Sequence, residues 1–96
     1  MSAYAIFIRD NTLDQQELDT YSEMAAKAHA GHPITALAAY GDLEVLEGQD
    51  AEGVVLVQFP TMEDARAWYN SPAYQEAKAH RLKGANYRVL LVQGVE

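Results

Sequence analysis

Apolar and polar positions recur at two different periods along this chain, and the switches between them mark out its elements. Residues 3–9, AYAIFIR, follow a two-residue period and read as a strand. Tyr4, Ile6 and Ile8 fall on one face, Ala3, Ala5 and Phe7 on the other. Both faces are apolar, so neither is expected to meet water. Over residues 12–29 the period becomes helical: Leu18, Tyr21, Ala25, Ala28 and His29 share a face. Thr12 with Gln15 gives a capping box at its start, and Gly31 and Pro33 close it. Residues 34–40, ITALAAY, form a second strand, which Leu43 to Leu46 extend beyond a bend at Gly41-Asp42. Residues 48–53, GQDAEG, are a polar turn. Residues 54–59, VVLVQF, are almost continuously apolar, which predicts a central strand.

Pro60 stops that strand. Thr61 followed by Asp64 caps a helix that runs to about Tyr69. At Ser71-Pro72 the helix restarts, with Ser71 as N-cap and Pro72 in the first helical position, and it runs to Lys83 before Gly84. Residues 87–93, YRVLLVQ, are the last strand. The order β-α-β-β-α-β, with its second helix broken, predicts a ferredoxin-like α+β fold. One domain over residues 1–96 would hold a four-stranded antiparallel sheet with both helices on one face. Phe7, Val55, Val57, Leu90 and Val92 leave little polar material for the other face. An apolar sheet face marks an interface, so the pattern predicts a homodimer of two faced sheets, a dimeric α+β barrel.

Composition narrows the function classes. Ninety-six residues make one small domain, which a partner subunit would help to stabilise. The net charge of −7 argues against nucleic acid and against an anionic membrane surface. With no cysteine there is no disulfide, thiolate nucleophile or Cys-based metal site. The opening MSAYAIFIRD lacks a basic leader and is too short an apolar run to span a bilayer, so a cytoplasmic protein is expected.

The segment FPTMEDARAWYNSPAYQEAKAHRLKGANYRVLLVQG, with the LEG at Leu46 to Gly48, resembles the DUF1330 family of small bacterial proteins within the dimeric α/β-barrel superfamily. The AWYNSPAY run from Ala67 to Tyr74 and the His80-Arg81 pair carry most of the resemblance, which covers essentially the whole chain. It implies a ferredoxin-like fold and a homodimer, and it implies no activity. The wider superfamily includes cofactor-free monooxygenases, isomerases, enzymes acting on chlorinated rings, and haem-binding members. Relatives carry a Gly-Gly-Arg-like start to the second strand and an arginine near its end. This chain has Pro33-Ile34-Thr35 and Ala39 there, so any anion contact those arginines make is missing or replaced.

The candidate chemistry gathers between Arg66 and Arg88. Tyr74 and Arg81 are seven apart and share a helix face, so Arg81 is a candidate fork for a carboxylate or enolate. Its structural alternative is a surface ion pair at a helix C-terminus. Trp68 can wall a ligand pocket or simply fill the core. Ser71 offers an anion a fresh helix N-terminus, or only caps it. His29 and His80 are the acid–base candidates, with helix-end dipole complementation as the plain alternative for His29. His29 and His32 resemble metal spacing only weakly, so neither metal nor cofactor is expected. Tyr4, Tyr21, Tyr40 and Tyr87 are expected to line the space under the helices. The leading reading is a homodimer that binds a small anionic, carbonyl or aromatic metabolite, with cofactor-independent catalysis as its enzymatic form. In it His29 or His80 is the acid–base and Tyr21, Tyr40, Trp68, Ser71, Tyr74 and Arg81 hold the ligand. The alternative is a non-catalytic structural or regulatory dimer whose aromatics are core.

Overall fold

The computed structural model describes residues 1–95. Its elements are β1 (Ala3–Thr12), α1 (Gln15–Lys27), β2 (Thr35–Ala39), β3 (Gly53–Phe59), α2 (Met62–Tyr69), α3 (Pro72–Gly84) and β4 (Ala85–Gln93). The strands lie in the order β2-β3-β1-β4, and every neighbouring pair is antiparallel. The two βαβ-type connections return over one face, which is the ferredoxin-like α+β arrangement. What reads as one broken helix is two helices, joined through Asn70 and Ser71.

The core forms where the helix-side residues of the sheet meet α2 and α3. Ala3, Ala5 and Phe7 of β1 and Val57 and Phe59 of β3 are buried against Ala65, Trp68 and Tyr74. This reverses the expected phase of part of the sheet. Phe7, Val55 and Val57 lie under the helices, not on the open face. The register places Tyr4, Ile6 and Ile8 with Val54, Leu56, Leu90 and Val92 on the side away from them. The apolar open face is real, but a different set of residues makes it. Tyr4 belongs to it and so leaves the group of tyrosines under the helices.

Two local expectations are also corrected. Thr12 does not cap α1, because β1 continues through it and its hydroxyl donates to Glu52 Oε1 at 2.6 Å. Asp14 takes over as N-cap, accepting from the amides of Gln16 and Glu17. The helix then ends at Lys27, two residues short of His29. Leu43 to Leu46 do not extend β2. A register shift between Ala36 and Ala38 and a left-handed backbone at Tyr40 (φ 55°) turn the chain out of the sheet. By then β3 has been used up: Tyr40 N–H takes Val54 O, and Glu52 N–H already bonds Arg9 O. Residues 41–52 therefore leave as an arm without a ladder partner. Among the described residues, no helix is long and apolar enough to cross a membrane.

Candidate functional site

A cleft of about 240 Å³ opens between α1 and the β2–β3 side of the sheet. Phe7, Tyr21, His29, Tyr40 and Trp68 are among its walls, and small or aliphatic residues such as Ala25 and Val57 complete it. Among the described residues, no Asp or Glu lines this cleft, although the chain is rich in both. A hollow of similar size, about 260 Å³, lies between α2 and β4, lined by Trp68, Tyr69, Leu91 and Arg66 among others. It lacks a histidine and converging hydroxyls, so the first cleft is the candidate.

The back of the cleft is built by α3. Ser71 caps this helix: its hydroxyl accepts from Tyr74 N–H and donates to Trp68 O at 2.7 Å. That pair of hydrogen bonds fixes the step from α2 to α3 and so sets Tyr74 against Trp68, ring centroids 4.3 Å apart. From Tyr74 the inward face runs through Ala77, Arg81 and Gly84, all buried. Gly84 makes the close approach to α1 possible, since a Cβ there would stand 2.7 Å from Leu18 Cδ2. α1 in turn brings Tyr21 over Tyr74, and their hydroxyls meet at 2.8 Å.

Arg81 is the unusual member. It is only 3% exposed, and among the described residues no carboxylate pairs with it. Its guanidinium carbon stands 5.2 Å from the Tyr87 ring, 5.7 Å from Phe7 and 6.0 Å from Tyr21. Aromatic faces attract a guanidinium, but they do not accept its N–H groups as an anion does. Arg81 Nε has no acceptor, and neither does the buried Nε1 of Trp68. Arg81 does not itself line the cleft. It stands behind Phe7 and Tyr21, which do.

Burial pushes the Tyr21 phenol well above its ordinary range; its neighbour Tyr74 adds to the rise and Arg81 opposes it. Tyr74 is also raised by burial, with Tyr21 and Arg81 opposing. Tyr40 is raised by burial and then by its hydrogen bond to the Tyr87 hydroxyl. These hydroxyls stay protonated at neutral pH and can donate. His29 is lowered, first by burial and then by His32, so a neutral imidazole faces the cleft. The left-handed Tyr40 is held by Arg9, whose guanidinium lies 4.8 Å from its ring centroid. Gly53 leaves room for that ring, because a Cβ there would sit 2.5 Å from Tyr40 Cδ1.

The fold thus brings His29, Tyr21, Tyr40 and Trp68 to one cleft, with Tyr74 and Arg81 behind it. Ser71 stands at the α2–α3 step. His80 stands apart: its Nδ1 lies 2.6 Å from Glu17 Oε2, tying α3 to α1 in a surface hollow with Asp14 and Asp19. The positive charge of the region also disperses, since Arg88 pairs with Asp10 and Lys78 lies over Tyr69. Sequence reasoning missed the burial of Arg81, the Tyr21–Tyr74 and Tyr40–Tyr87 pairs, and the roles of Arg9 and Gly53. The spacing of Tyr74, Ala77, Arg81 and Gly84, in steps of three, four and three, was the available sign that Arg81 faces inward. Among the described residues, no group of three or more His, Asp or Glu could hold a metal ion.

Residues 2–95 match the model of the family described as "Domain of unknown function (DUF1330)". No curated protein matches the chain. Among solved structures, it is similar to a protein of unknown function from Rhodopseudomonas palustris (TM-score 0.74, 13% identity, 99% of this chain and 83% of that one). It is also similar to a dimeric ferredoxin-like protein of unknown function from Jannaschia sp. CCS1 (TM-score 0.69, 12% identity, 98% and 100%). A further similar structure is SnoaB, a cofactor-independent oxygenase from Streptomyces nogalater (TM-score 0.59, 11% identity, 99% and 92%). At these identities the similarity establishes the fold alone.

Proposed function

The chain belongs to the DUF1330 family, and from that premise we propose that it is a homodimer whose α1–β2–β3 cleft binds a small anionic or enolisable carbonyl or aromatic compound. The observation that carries this reading is Arg81: a buried cation that, among the described residues, has no carboxylate partner and stands behind an aromatic cleft free of acids. A buried charge is costly unless an opposite charge or good hydrogen bonds offset the lost hydration. A ligand anion in the cleft would supply that charge, with Tyr21 and Tyr40 donating to its oxygen. His29 is the acid–base group, Trp68 the wall, and Tyr74 and Ser71 position the others. As an enzyme it would use His29 to take a proton from the ligand without a cofactor, and in an oxygenase form the resulting carbanion would supply the electrons to dioxygen as co-substrate. SnoaB, of the same fold, is a cofactor-independent oxygenase, which supports that form of the reading. The homodimer forms through the open sheet face, supported by its apolar residues and by dimeric neighbours of the same fold.

The test is a thermal-shift series with benzoate, salicylate, phenol and haem, on wild type, Arg81→Met and His29→Gln. A ligand at about 100 times its Kd adds about 2.7 kcal/mol of stability by mass action. The expected result is a salicylate or benzoate shift that Arg81→Met abolishes, while that variant keeps or gains stability without ligand. A shift that survives Arg81→Met unchanged removes Arg81 from the site. If Arg81→Met is strongly destabilised and no anion shifts any form, the non-catalytic structural dimer is the better reading.

A further inference from the structure

Residues 41–52 carry the pattern of a strand and have no strand to join. Leu43 and Val45 alternate with Glu44, and Leu46 follows, but no ladder forms. The arm is anchored at both ends, by Tyr40 N–H on Val54 O and by Glu52 N–H on Arg9 O. Between them Leu43, Val45 and Leu46 are exposed, Leu46 at 83%.

A second pair of exposed apolar residues lies on the open face of β4, at Leu90 and Val92. The sheet order puts β2, where the arm starts, and β4 at opposite edges. A two-fold axis running along the strands between two faced sheets lays each β2 edge over the partner's β4 edge. Both clusters are then covered at once, in the self-complementary manner of an isologous dimer. The charges agree: the arm carries Asp42, Glu44 and Glu47, and Arg88, paired with Asp10 but still 47% exposed, stands on the open face of β4 two residues before Leu90.

We propose that residues 41–52 are a docking arm, and that in the homodimer Leu43, Val45 and Leu46 cover Leu90 and Val92 of a second copy. This rests on the homodimer proposed above and adds the segment that crosses over. Because the arm leaves directly after Tyr40, its docking also holds one wall of the cleft.

Sedimentation equilibrium on wild type, Leu43→Asp, Leu46→Asp and Leu90→Asp tests it, with hydrogen exchange of the arm amides at high and low protein concentration. Leu46 is so exposed that its substitution leaves the folded chain intact. The expected result is a dimer whose Kd rises at least tenfold in each variant, with arm amides protected only in the dimer. A dimer whose Kd stays within twofold in Leu43→Asp and Leu46→Asp overturns the arm and leaves the dimer standing. So does protection that persists on dilution to monomer, which places the arm on its own chain. Wild type that is monomeric at every concentration overturns both.

Discussion

At the scale of single residues, the tyrosine pairs set the most direct expectations. Tyr74 is fully buried and its hydroxyl has Tyr21 as partner, so Tyr74→Phe leaves a part-buried hydroxyl bereft. The loss should be about 1 kcal/mol in a denaturant titration. The same burial gives a pH signature. Folded Tyr21, Tyr40 and Tyr74 hold their protons above the ordinary tyrosine value, while the unfolded chain releases them near pH 10. Above that pH the folded state binds more protons, so stability falls as pH rises. Melting curves should be flat on this account up to about pH 10 and decline beyond it, with a shallower decline in Tyr21→Phe. An unchanged slope in that variant would discount the Tyr21 contribution. His29 runs the opposite way: its lowered value means that protonation favours the unfolded chain, so its contribution is lost as pH falls below the ordinary histidine value. An NMR titration midpoint for His29 below about 6.5 checks the sign. Much of this site was unreadable from sequence for a physical reason. Tyr21 and Tyr74 are 53 positions apart, and nothing local says that their hydroxyls meet. Arg81, a candidate anion fork, kept a surface ion pair as its structural alternative because arginine is usually exposed. Only its place on a buried stripe with Tyr74 and Ala77 argued otherwise.

At the scale of elements, the signals that survived are those in which chemistry and geometry are local. Thr61 and Ser71 cap their helices as their spacing says, because an N-cap needs only its own side chain and amides two or three residues on. Ser71→Ala should therefore cost about 1 kcal/mol, and Ser71→Asp should recover most of it. If Ser71→Ala is neutral, the α2–α3 step is held by packing instead. Gly84 works differently, through its neighbour: an added Cβ meets Leu18 Cγ at 2.9 Å and Leu18 N at 3.1 Å. Since backbone is involved, Gly84→Ala must push α1 off α3, with an expected loss of about 1–3 kcal/mol. The failures were of another kind. Period two separates the faces of β1 and β3 but does not say which faces the helices when both are apolar, so Phe7, Val55 and Val57 were assigned to the wrong side. Thr12 was read as a cap because its spacing to Gln15 fits, although β1 reaches that far to pair with β4. Leu43 to Leu46 have the pattern of a strand, and what they lack, a free partner in the same sheet, is not a property of that segment.

At the scale of the whole molecule, the two-sided hydrophobicity of the sheet is the fact that a single chain leaves unresolved. Ile6, Ile8, Leu56, Leu90 and Val92 occupy a face that no helix covers. A domain this small buries too little surface to leave such a face to water without cost to its stability. If the homodimer supplies the missing cover, dissociation and unfolding are linked and the melting temperature must depend on concentration. A hundredfold increase in protein adds about 2.7 kcal/mol to a dimer that unfolds to two chains. Two chains of 96 residues have an unfolding entropy of roughly 0.4 kcal/mol per kelvin. The melting temperature should then rise by about 7 °C between 1 µM and 100 µM. Calorimetry over that range decides the matter. A concentration-independent midpoint with single-chain cooperativity means that the open face is stable in water and that the cleft works within one chain. A rising midpoint that flattens in Leu90→Asp assigns the cover to the open face.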